Sequence, residues 1–301
     1  MHVPRYALCD MSYAKIIDGQ KLAKKIKDKI VKEILELNNN KPDCLLRPNL
    51  AIILVGERED SKLYVDLKEK EAKKVGIDTH LYKLPTNTLE TNILETISCL
   101  NKDEQIDAIL VQLPLPKDFN TNKIIKAIDP KKDVDRFHPD NLKILMSTCG
   151  HDEVMPPVHS TVLEILRSIK CDLKNKETCI IANSDIFGKS LAKVLSCEGA
   201  KVSTLSASNK SLSDKTKKAD ILITATGKPK FIKADMIKQD AIVIDIGITK
   251  DNKKVCGDVD FEQVIKKASF VTPVPGGVGP LTIAMLFKNT LELYHRSKRD
   301  K

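Results

Sequence analysis

The first hydrophobic pattern in the chain predicts an amphipathic helix. Within residues 21–37, apolar side chains recur at helical spacing between lysines, namely at Leu22, Ile26, Ile30, Ile34 and Leu37. From Leu50 onward, apolar runs alternate with helical patterns, which is typical of βα units around a mostly parallel sheet. The predicted strands and helices of this half lie at residues 50–56, 62–76, 79–84, 89–100 and 108–116. The polar stretch 128–141 predicts a loop that leaves the sheet.

A second alternation of helices and strands follows the polar stretch 149–157, which we interpret as a hinge. The predicted elements of this half lie at residues 161–169, 178–182, 183–200, 201–205, 220–227, 241–248 and 281–296. Their spacing is that of an open α/β sheet, and such sheets bind ligands at the carboxyl ends of their strands. The sequence therefore predicts an α/β protein with two domains.

Composition narrows the classes of protein that remain. The chain has 301 residues, of which 42% are hydrophobic, so a disordered chain is excluded. The net charge is +9, but only 4% of the residues are aromatic and Trp is absent, which argues against a binder of single-stranded nucleic acid. Anionic small ligands fit this charge equally well. No apolar run is long enough to span a membrane.

The cysteines indicate reduced thiols. Eight cysteines include no CxxC pair, so neither a zinc ribbon nor a disulfide framework is indicated, and we expect no bound metal. The N-terminal residues are a poor match for a signal or transit peptide. We therefore expect a cytoplasmic protein, with a mitochondrial location as the alternative.

Polar residues near the first set of strands are candidates for catalysis. Tyr64 and Lys68 are four residues apart, so on a helix they project from one face. A buried lysine has a lowered pKa and can act as an acid or base near neutral pH, whereas the alternative is one more surface lysine. Gln112 interrupts an apolar strand and is either a core residue or a ligand-binding side chain. Asp133 and Asp135 follow in a loop, where carboxylates are usually solvated.

Two further segments are candidates for ligand binding. The strand, turn and helix at 178–199 resemble a phosphate-binding corner, although Gly188 is the one glycine near the turn, and an ordinary βα corner is equally consistent. The segment 271–282 contains three prolines and three glycines between apolar segments. It predicts a rigid binding loop without helix or strand.

Taken together, the sequence resembles the bifunctional methylenetetrahydrofolate dehydrogenase/methenyltetrahydrofolate cyclohydrolase family. The similarity extends from about Lys15 to Leu293. The segments that carry it, in the order and spacing of the family, are DSKLYVDLKEKEAKKVGI, ILVQLPLP, KDVD, ADILITATGKP, VIDIGI, GDVDF and TPVPGGVGP. An ordered set of this kind is far more specific than any single motif.

The resemblance implies two domains separated by a cleft. Residues 1–155 with 283–301 would form a folate domain, and residues 156–282 a Rossmann-like NAD(P)-binding domain. The implied activities are oxidation of methylene-tetrahydrofolate with NADP and hydrolysis of the methenyl product to formyl-tetrahydrofolate. The implied context is a homodimer in the one-carbon metabolism that serves purine biosynthesis.

Individual residues match functional positions of the family. Lys68 matches its catalytic lysine, Tyr64 the neighbour that stacks near the folate, and Gln112 the amide that holds the lysine. Asp135 matches the carboxylate that grips the pterin. The other substrate-binding positions implied by the resemblance are Val111, Leu113, Pro275, Gly276, Gly277, Val278 and Gly279. The implied cofactor-binding positions are Ala182, Asn183, Ser184, Gly188, Ala207 and Ile248.

The departures from the family concern mainly the cofactor. Asn183 replaces an arginine that pairs with the 2'-phosphate of NADP, and Ala207 replaces a serine. Loss of one charged contact typically costs about 1.5–3 kcal/mol, so we expect a reduced affinity for NADP, with NAD as the alternative cofactor. Val158 replaces a hydroxyl-bearing residue, and Arg136 and Lys143 replace glycines. These two cations either substitute for the lost positive charge or crowd the cleft.

The sequence therefore leaves the dehydrogenase step in doubt. The alternatives to a bifunctional enzyme are a cyclohydrolase alone and a non-catalytic folate-binding homologue. A basic nucleic-acid binder is a third and more distant reading.

Overall fold

The structure is a computed structural model that describes residues 13–39, 46–150, 154–251 and 254–299. The chain forms two compact units. The three-stranded unit contains the described residues of Gly19–Cys171 and of Val278–Lys301, and the six-stranded unit contains Asp172–Gly277 with the described residues up to Asp18. Both units have the predicted α/β architecture. The functional domain limits that the resemblance implies, at residues 155 and 282, stay a prediction.

The strands are named in chain order. They are β1 (Lys15–Ile16), β2 (Asn49–Val55), β3 (Asp78–Leu84), β4 (Ala108–Val111), β5 (Glu177–Ala182), β6 (Lys201–Leu205), β7 (Ile221–Ala225), β8 (Ile242–Asp245), β9 (Thr249–Asp251), β10 (Lys254–Cys256) and β11 (Phe270–Val271). The sheet orders are β3-β2-β4 in one unit and β1-β11-β8-β7-β5-β6 in the other, while β9 and β10 form an antiparallel pair.

The helices are also named in chain order. They are α1 (Gly19–Asn39), α2 (Glu59–Val75), α3 (Glu90–Lys102), α4 (Thr121–Lys126), α5 (Pro139–Thr148), α6 (Pro157–Ser168), α7 (Asp185–Cys197), α8 (Leu212–Thr216), α9 (Phe261–Val264) and α10 (Val278–Arg299), with a short 3-10 helix at Ala234–Met236. Within the described residues, none of these helices is both long and apolar enough to cross a membrane.

Strand β2 is the centre of the three-stranded unit and pairs in parallel with both β3 and β4. Its uninterrupted apolar sequence fits this place, because a parallel strand with helices on both faces is buried on both faces. Alternate side chains therefore enter different cores. Ile52 packs with residues of α1, α2 and α10, whereas Ile53 packs with residues of α3.

Helix α10 belongs to the three-stranded unit, where it packs against α1 and α6. Phe287 on this helix is fully buried, and so is most of Asn289. The Asn289 side-chain amide donates hydrogen bonds to the carbonyl oxygens of Val134, at 3.0 Å, and Met155, at 2.9 Å. Val134 lies in the loop between α4 and α5, and Met155 lies between α5 and α6, so Asn289 fastens both connections to helix α10.

The six-stranded unit has a parallel sheet in which β5 lies between β6 and β7. After β5 the chain passes to β6 on one side and then to β7 on the other. The carboxyl end of β5 is therefore a topological switch point, the place where open α/β sheets bind ligands.

Two predicted loops contain the beginning of a helix. Segment 271–282 was expected to lack helix and strand, but α10 begins at Val278 and includes Pro280. Segment 128–141 was expected to be a loop, but α5 begins at Pro139. The physical reason is the same in both cases: the first N–H groups of a helix have no acceptor within the helix, so proline is tolerated there.

The expectation of reduced thiols holds for only part of the chain. Among the described cysteines, Cys99, Cys171, Cys179 and Cys256 are thiols. Cys149 and Cys197 are disulfide-bonded, so the expectation is wrong for these two. In the described residues, no group of three or more His, Cys, Asp or Glu side chains is placed to hold a metal ion.

We expect Asn289→Ala to destabilise the three-stranded unit by about 1–3 kcal/mol, because the carbonyls of Val134 and Met155 lose their donor. Urea unfolding followed by circular dichroism measures this change. Lys288→Ala, at an exposed position of the same helix, is the control and should stay within about 0.5 kcal/mol of the wild type. Equal stability of the two variants would contradict the role assigned to Asn289.

Candidate functional site

Lys68 and Gln112 form the centre of a polar cluster in the three-stranded unit. The Lys68 ammonium nitrogen donates to Gln112 Oε1 at 2.7 Å. The Gln112 side-chain amide donates to the Leu113 carbonyl oxygen at 2.6 Å, which turns Oε1 towards the lysine. The backbone N–H of Gln112 donates to Ile53 of β2, so the amide is held at the carboxyl end of the sheet. The alternative that Gln112 only serves the core is thus less consistent with its contacts.

The Lys68 side chain is buried rather than spread over the surface of α2. Lys68 is 9% exposed, whereas the neighbouring Lys70, Lys73 and Lys74 are exposed. Burial lowers the pKa of Lys68, and the negative charge of Asp135 acts in the opposite direction. The Tyr64 ring lies one turn earlier, with its centre 6.0 Å from the lysine nitrogen, and burial raises the pKa of its hydroxyl. A neutral lysine is therefore more accessible here than in water.

Asp135 faces the same cluster from the loop between α4 and α5. Burial raises the pKa of its carboxyl to about 6, Lys68 lowers it, and the charge of Asp133 raises it further. A cavity of about 20 Å³ borders both carboxylates and is otherwise lined by apolar side chains, which include Phe137. The expectation that these loop carboxylates are solvated is wrong for Asp133, which is 2% exposed. The sequence signal for the burial of Asp133 was its apolar neighbour Val134, which is fully buried in the structure.

The two positions that flank Gln112 differ in their surroundings. Val111 ends β4 and is buried, and Leu113 follows it with its side chain more than one-third exposed. Both residues border the small cavity beside Asp135. They lie in the same unit as Lys68, Gln112, Tyr64 and Asp135.

The proline- and glycine-rich segment is divided between the units. Pro275, Gly276 and Gly277 end the six-stranded unit, and Val278 and Gly279 begin α10. A side chain at position 277 would clash with the backbone, because a Cβ there would lie 2.5 Å from the Pro273 carbonyl oxygen. The Gly277 N–H donates to that same oxygen at 2.8 Å. The segment is thus a tight turn, and its contact with a substrate stays a prediction.

The first four predicted cofactor positions lie together at the switch point of the six-stranded unit. Ala182 ends β5, Asn183 follows, and Ser184 caps α7 by accepting a hydrogen bond from the Phe187 N–H at 3.3 Å. The beginning of α7 therefore presents backbone N–H groups and the positive end of a helix dipole, as phosphate binding requires. Gly188 packs against β5 and β6, and an added Cβ would meet ordinary contacts of 3.8 Å.

The side chain of Asn183 has a partner within the protein. Its amide nitrogen donates to the Thr226 carbonyl oxygen at 2.5 Å, which links the end of β5 to the end of β7. Where the resemblance predicts a long, charged arginine, this chain thus has a short amide that joins the ends of two strands. This contact fits the expectation that the residue contributes little to a phosphate.

The remaining predicted cofactor positions follow other strands of the same sheet. Ala207 lies in the loop after β6, where it packs partly against the core, and Ile248 follows β8 with an exposed side chain. An NAD-binding site would have an acidic residue near the end of β6. The loop 206–211 contains no acidic residue, and Asp185 lies in α7, where it pairs with Lys189 at 3.1 Å.

Two buried carboxylates that the sequence analysis did not single out brace the ends of β7 and β8. Asp258 accepts hydrogen bonds from the Thr224 hydroxyl and from the N–H groups of Thr226 and Lys228. Asp245 accepts from the N–H groups of Gly247, Asp258 and Val259. An acidic residue inside an apolar strand, as in VIDIGI, was the available sequence signal.

The approach of these carboxylates requires glycine at two places. A Cβ at Gly247 would lie 2.2 Å from Asp258 Oδ1, and one at Gly257 would lie 2.0 Å from Asp245 Oδ2. Burial raises the pKa of Asp245 to about 7, backbone N–H groups oppose this, and the charge of Asp258 adds to it. The hydrogen bonds of Asp245 and Asp258 therefore fix the loops at the carboxyl edge of the sheet, although the two carboxyl groups repel each other when both are ionised.

The cations that replace glycines do not form one patch. The Arg136 guanidinium is largely buried and donates to the carbonyl oxygens of Val154, at 3.1 Å, and Pro130, at 2.9 Å. Lys143 is exposed on α5. Val158 lies in the first turn of α6. Arg136 is thus directed to the loop backbone of its own unit. This contact does not favour the expectation that it substitutes for a lost positive charge.

Both parts of the chain match sequence models of one protein family. Residues 17–135 match the sequence model of the tetrahydrofolate dehydrogenase/cyclohydrolase catalytic domain, and residues 156–298 match that of the NAD(P)-binding domain of the same family. The Bifunctional protein FolD of Nitratiruptor sp. is 48% identical over 285 residues, which cover 95% of this chain and 99% of that protein.

Two solved structures are similar over nearly the whole chain. The bifunctional FolD enzyme of Campylobacter jejuni has a TM-score of 0.88 at 38% identity and covers 96% of this chain and 100% of its own. The dehydrogenase-cyclohydrolase of Trypanosoma brucei, complexed with NADP cofactor and inhibitor, has a TM-score of 0.90 at 34% identity and covers 95% and 99%.

We expect Asp245→Asn to change how stability depends on pH. The folded pKa of Asp245, about 7, exceeds the value of roughly 3.9 for an unfolded aspartate. The stabilisation from its protonated form is complete below the unfolded value and is lost as the pH rises through about 7. The free energy of unfolding of the variant should therefore improve relative to the wild type from about pH 4 to pH 8. Urea unfolding across this range measures the difference, and a difference that does not vary with pH would contradict the assignment.

Proposed function

The chain belongs to the tetrahydrofolate dehydrogenase/cyclohydrolase family, and we propose that it performs both reactions of that family. It oxidises methylene-tetrahydrofolate to methenyl-tetrahydrofolate with NADP. It then hydrolyses the methenyl product to formyl-tetrahydrofolate, within one-carbon metabolism. The observation that carries the proposal is the buried Lys68, hydrogen-bonded to Gln112 at 2.7 Å.

The hydrolytic step needs only one well-placed base. The methenyl carbon is an activated electrophile, so water can add to it when a neighbouring group takes the water proton. Neutral Lys68 takes that proton, because its lowered pKa makes the free amine accessible. When one carbon–nitrogen bond then breaks, the Lys68 ammonium protonates the released nitrogen, and the hydroxyl group of the intermediate loses its proton to water as it becomes the formyl carbonyl. Hydrolysis of the methenyl cation therefore releases one proton overall. Gln112 keeps the lysine pointed into the site in both states, because an amide oxygen accepts from amine and ammonium alike.

Asp135 and Tyr64 serve binding in this proposal. The ionised Asp135 carboxylate accepts hydrogen bonds from the pterin ring, which fixes the orientation of the reacting carbon. The Tyr64 ring, one helical turn from Lys68, offers a flat apolar face on which the folate stacks. A scaffold without catalysis has no need of a buried lysine with an oriented amide, which is the argument against a non-catalytic folate-binding homologue.

The six-stranded unit fits a dinucleotide. The supporting observations are the switch point at β5, the capped beginning of α7 and the braced loops after β7 and β8. A bound nicotinamide cofactor supplies the hydride acceptor, and the protein supplies its orientation. Ala182, Asn183, Ser184 and Gly188 would contact its phosphates.

We infer that the cofactor is NADP and that the protein binds its 2'-phosphate weakly. The Trypanosoma brucei relative was solved with NADP. The loop after β6 has no carboxylate for the ribose of NAD, and it carries Lys210. Asn183, however, is bonded to Thr226 and has no charge to offer. A cyclohydrolase that has lost its dehydrogenase activity is the alternative, and formation of NADPH from methylene-tetrahydrofolate, followed by absorbance, distinguishes the two.

Assembly and location are further parts of the proposal. We infer a homodimer, which light scattering coupled to gel filtration would test, and a cytoplasmic location. The formyl product would serve purine biosynthesis.

We expect Lys68→Gln to lower the rate of methenyl-tetrahydrofolate hydrolysis about 10²- to 10⁴-fold, because the proton acceptor is lost. Loss of the methenyl absorbance measures this rate. Lys70→Gln, at an exposed position of the same helix, is the matched control and should hydrolyse at the wild-type rate. Hydrolysis by Lys68→Gln at the wild-type rate would show that this lysine has another role.

We expect Asn183→Arg to tighten binding of 2',5'-ADP about ten- to a hundred-fold and to leave 5'-AMP nearly unchanged, since only the first ligand carries the 2'-phosphate. Isothermal titration calorimetry measures both affinities. Asn183→Ala removes the bond to Thr226 without adding charge and is the control. If arginine and alanine at this position gave equal affinities for 2',5'-ADP, the missing charge would not explain the weak contact.

A further inference from the structure

Asp133 is the most completely bonded carboxylate near the candidate site. Its Oδ1 accepts from the Arg136 N–H at 3.0 Å. Its Oδ2 accepts from the His138 N–H at 2.8 Å and from the Asn141 side-chain amide at 2.9 Å. Three donors around one buried carboxylate close the backbone turn that contains Asp135.

The same turn is attached to the edge of the sheet. The Ile109 N–H donates to the Lys132 carbonyl oxygen at 2.7 Å, and the Val134 N–H donates back to the Ile109 carbonyl oxygen at 3.3 Å. Ile109 belongs to β4, whose end carries Gln112. Asp133 therefore sits where the loop meets the strand that holds the partner of the catalytic lysine.

The residue after Asp135 adds to this constraint. Arg136 has a left-handed backbone, with φ of 60°, a region that L residues other than glycine seldom adopt. Its N–H is bound by Asp133, and its guanidinium by the carbonyl oxygens of Pro130 and Val154. These contacts hold a conformation that the backbone alone disfavours.

Asp133 also acts on Asp135 through its charge. The charged groups that act on Asp135 are Lys68 from α2 and Asp133 from its own loop. Lys68 favours the ionised form of Asp135, and Asp133 opposes it, which helps to raise the Asp135 pKa. His138, on the same loop, contacts the Lys126 carbonyl oxygen at 3.2 Å.

We propose that Asp133 is a positioning residue for folate binding, because its three hydrogen bonds fix the turn that presents Asp135. The negative charge of Asp133 adds a second effect on Asp135. This inference rests on the proposed function, in which ionised Asp135 binds the pterin. In this proposal Asp133 acts through the turn and through Asp135. Its effect has two separable parts, since geometry sets the maximum affinity and charge sets the pH at which affinity is lost.

Binding of 5-formyltetrahydrofolate between about pH 5 and pH 8, measured by isothermal titration calorimetry, separates the two parts. The wild type should lose affinity as the pH falls through about 6, the Asp135 value. Asp133→Asn should bind about ten- to a hundred-fold more weakly at the upper end of the range, because Asp135 is misplaced. Its loss of affinity on acidification should occur at a lower pH than in the wild type, because the repelling charge is gone. A purely structural role would weaken binding without moving this pH.

Asp129→Asn is the matched control. Asp129 is a carboxylate of the same loop that accepts from the Lys131 N–H at 2.9 Å and is not among the charges that act on Asp135. It should retain the wild-type affinity and pH dependence. Coincident pH dependences for Asp133→Asn and the wild type, or an equal loss of affinity in Asp129→Asn, would overturn the inference.

A second variant keeps the test decisive if Asp133→Asn does not fold. Asn141→Ala removes one donor to Asp133 but leaves its charge and its two backbone bonds. Binding should weaken several-fold while the pH of half-maximal affinity stays at the wild-type value. Unchanged affinity would overturn the positioning role. A wild type that neither binds this folate nor hydrolyses methenyl-tetrahydrofolate would instead overturn the proposed function, and the inference with it.

Discussion

The parallel pairing of β2 with β3 and β4 is the constraint on which the three-stranded unit depends. Parallel strands have their carboxyl ends at one edge, and each connection returns through a helix on a face of the sheet. The helix after β2 therefore begins at the same edge where β4 ends. Because of this, Lys68 on α2 and Gln112 after β4 lie together although they are 44 positions apart, with 2.7 Å between Lys68 Nζ and Gln112 Oε1.

Burial gives that contact its chemical meaning. Apolar side chains from both faces of β2 surround the base of the site and exclude water. An ammonium group in such a place loses hydration, whereas the amide oxygen of Gln112 compensates for only part of it. The same exclusion of water acts on Asp135 in the opposite direction. The two groups thus have pKa values that approach each other, a condition typical of sites that move protons.

Both units use buried carboxylates to hold loops at the carboxyl ends of strands. Asp133 does so in one unit and Asp258, with Asp245, in the other. A carboxylate can accept several N–H groups at once and is strengthened by its charge, so one side chain replaces several missing backbone partners. The cost is a buried charge that repels any neighbouring acid. These loops therefore gain rigidity from a few side chains. Among them, Asp245 also has a pKa that burial raises to about 7.

The departures from the family pattern have different physical consequences. Asn183, where the resemblance predicts an arginine, forms a hydrogen bond between the ends of two strands. Arg136 occupies a backbone conformation suited to glycine, and the neighbouring carboxylate and carbonyls hold it there. Departures that look equivalent in a sequence comparison thus differ in the contacts that they make within the protein.

The sequence by itself determined the α/β class, the central strands and helices, and the family, because apolar periodicity and ordered motifs are local or additive signals. It also identified Lys68, Gln112 and Asp135 as candidates. It did not distinguish a buried lysine from a surface one, and it treated Asp133 as solvated. Those properties depend on which distant residues exclude water and donate hydrogen bonds, such as Asn141 and Asn289. Only the tertiary structure brings these partners together, and so only it decides which polar residues are held in place.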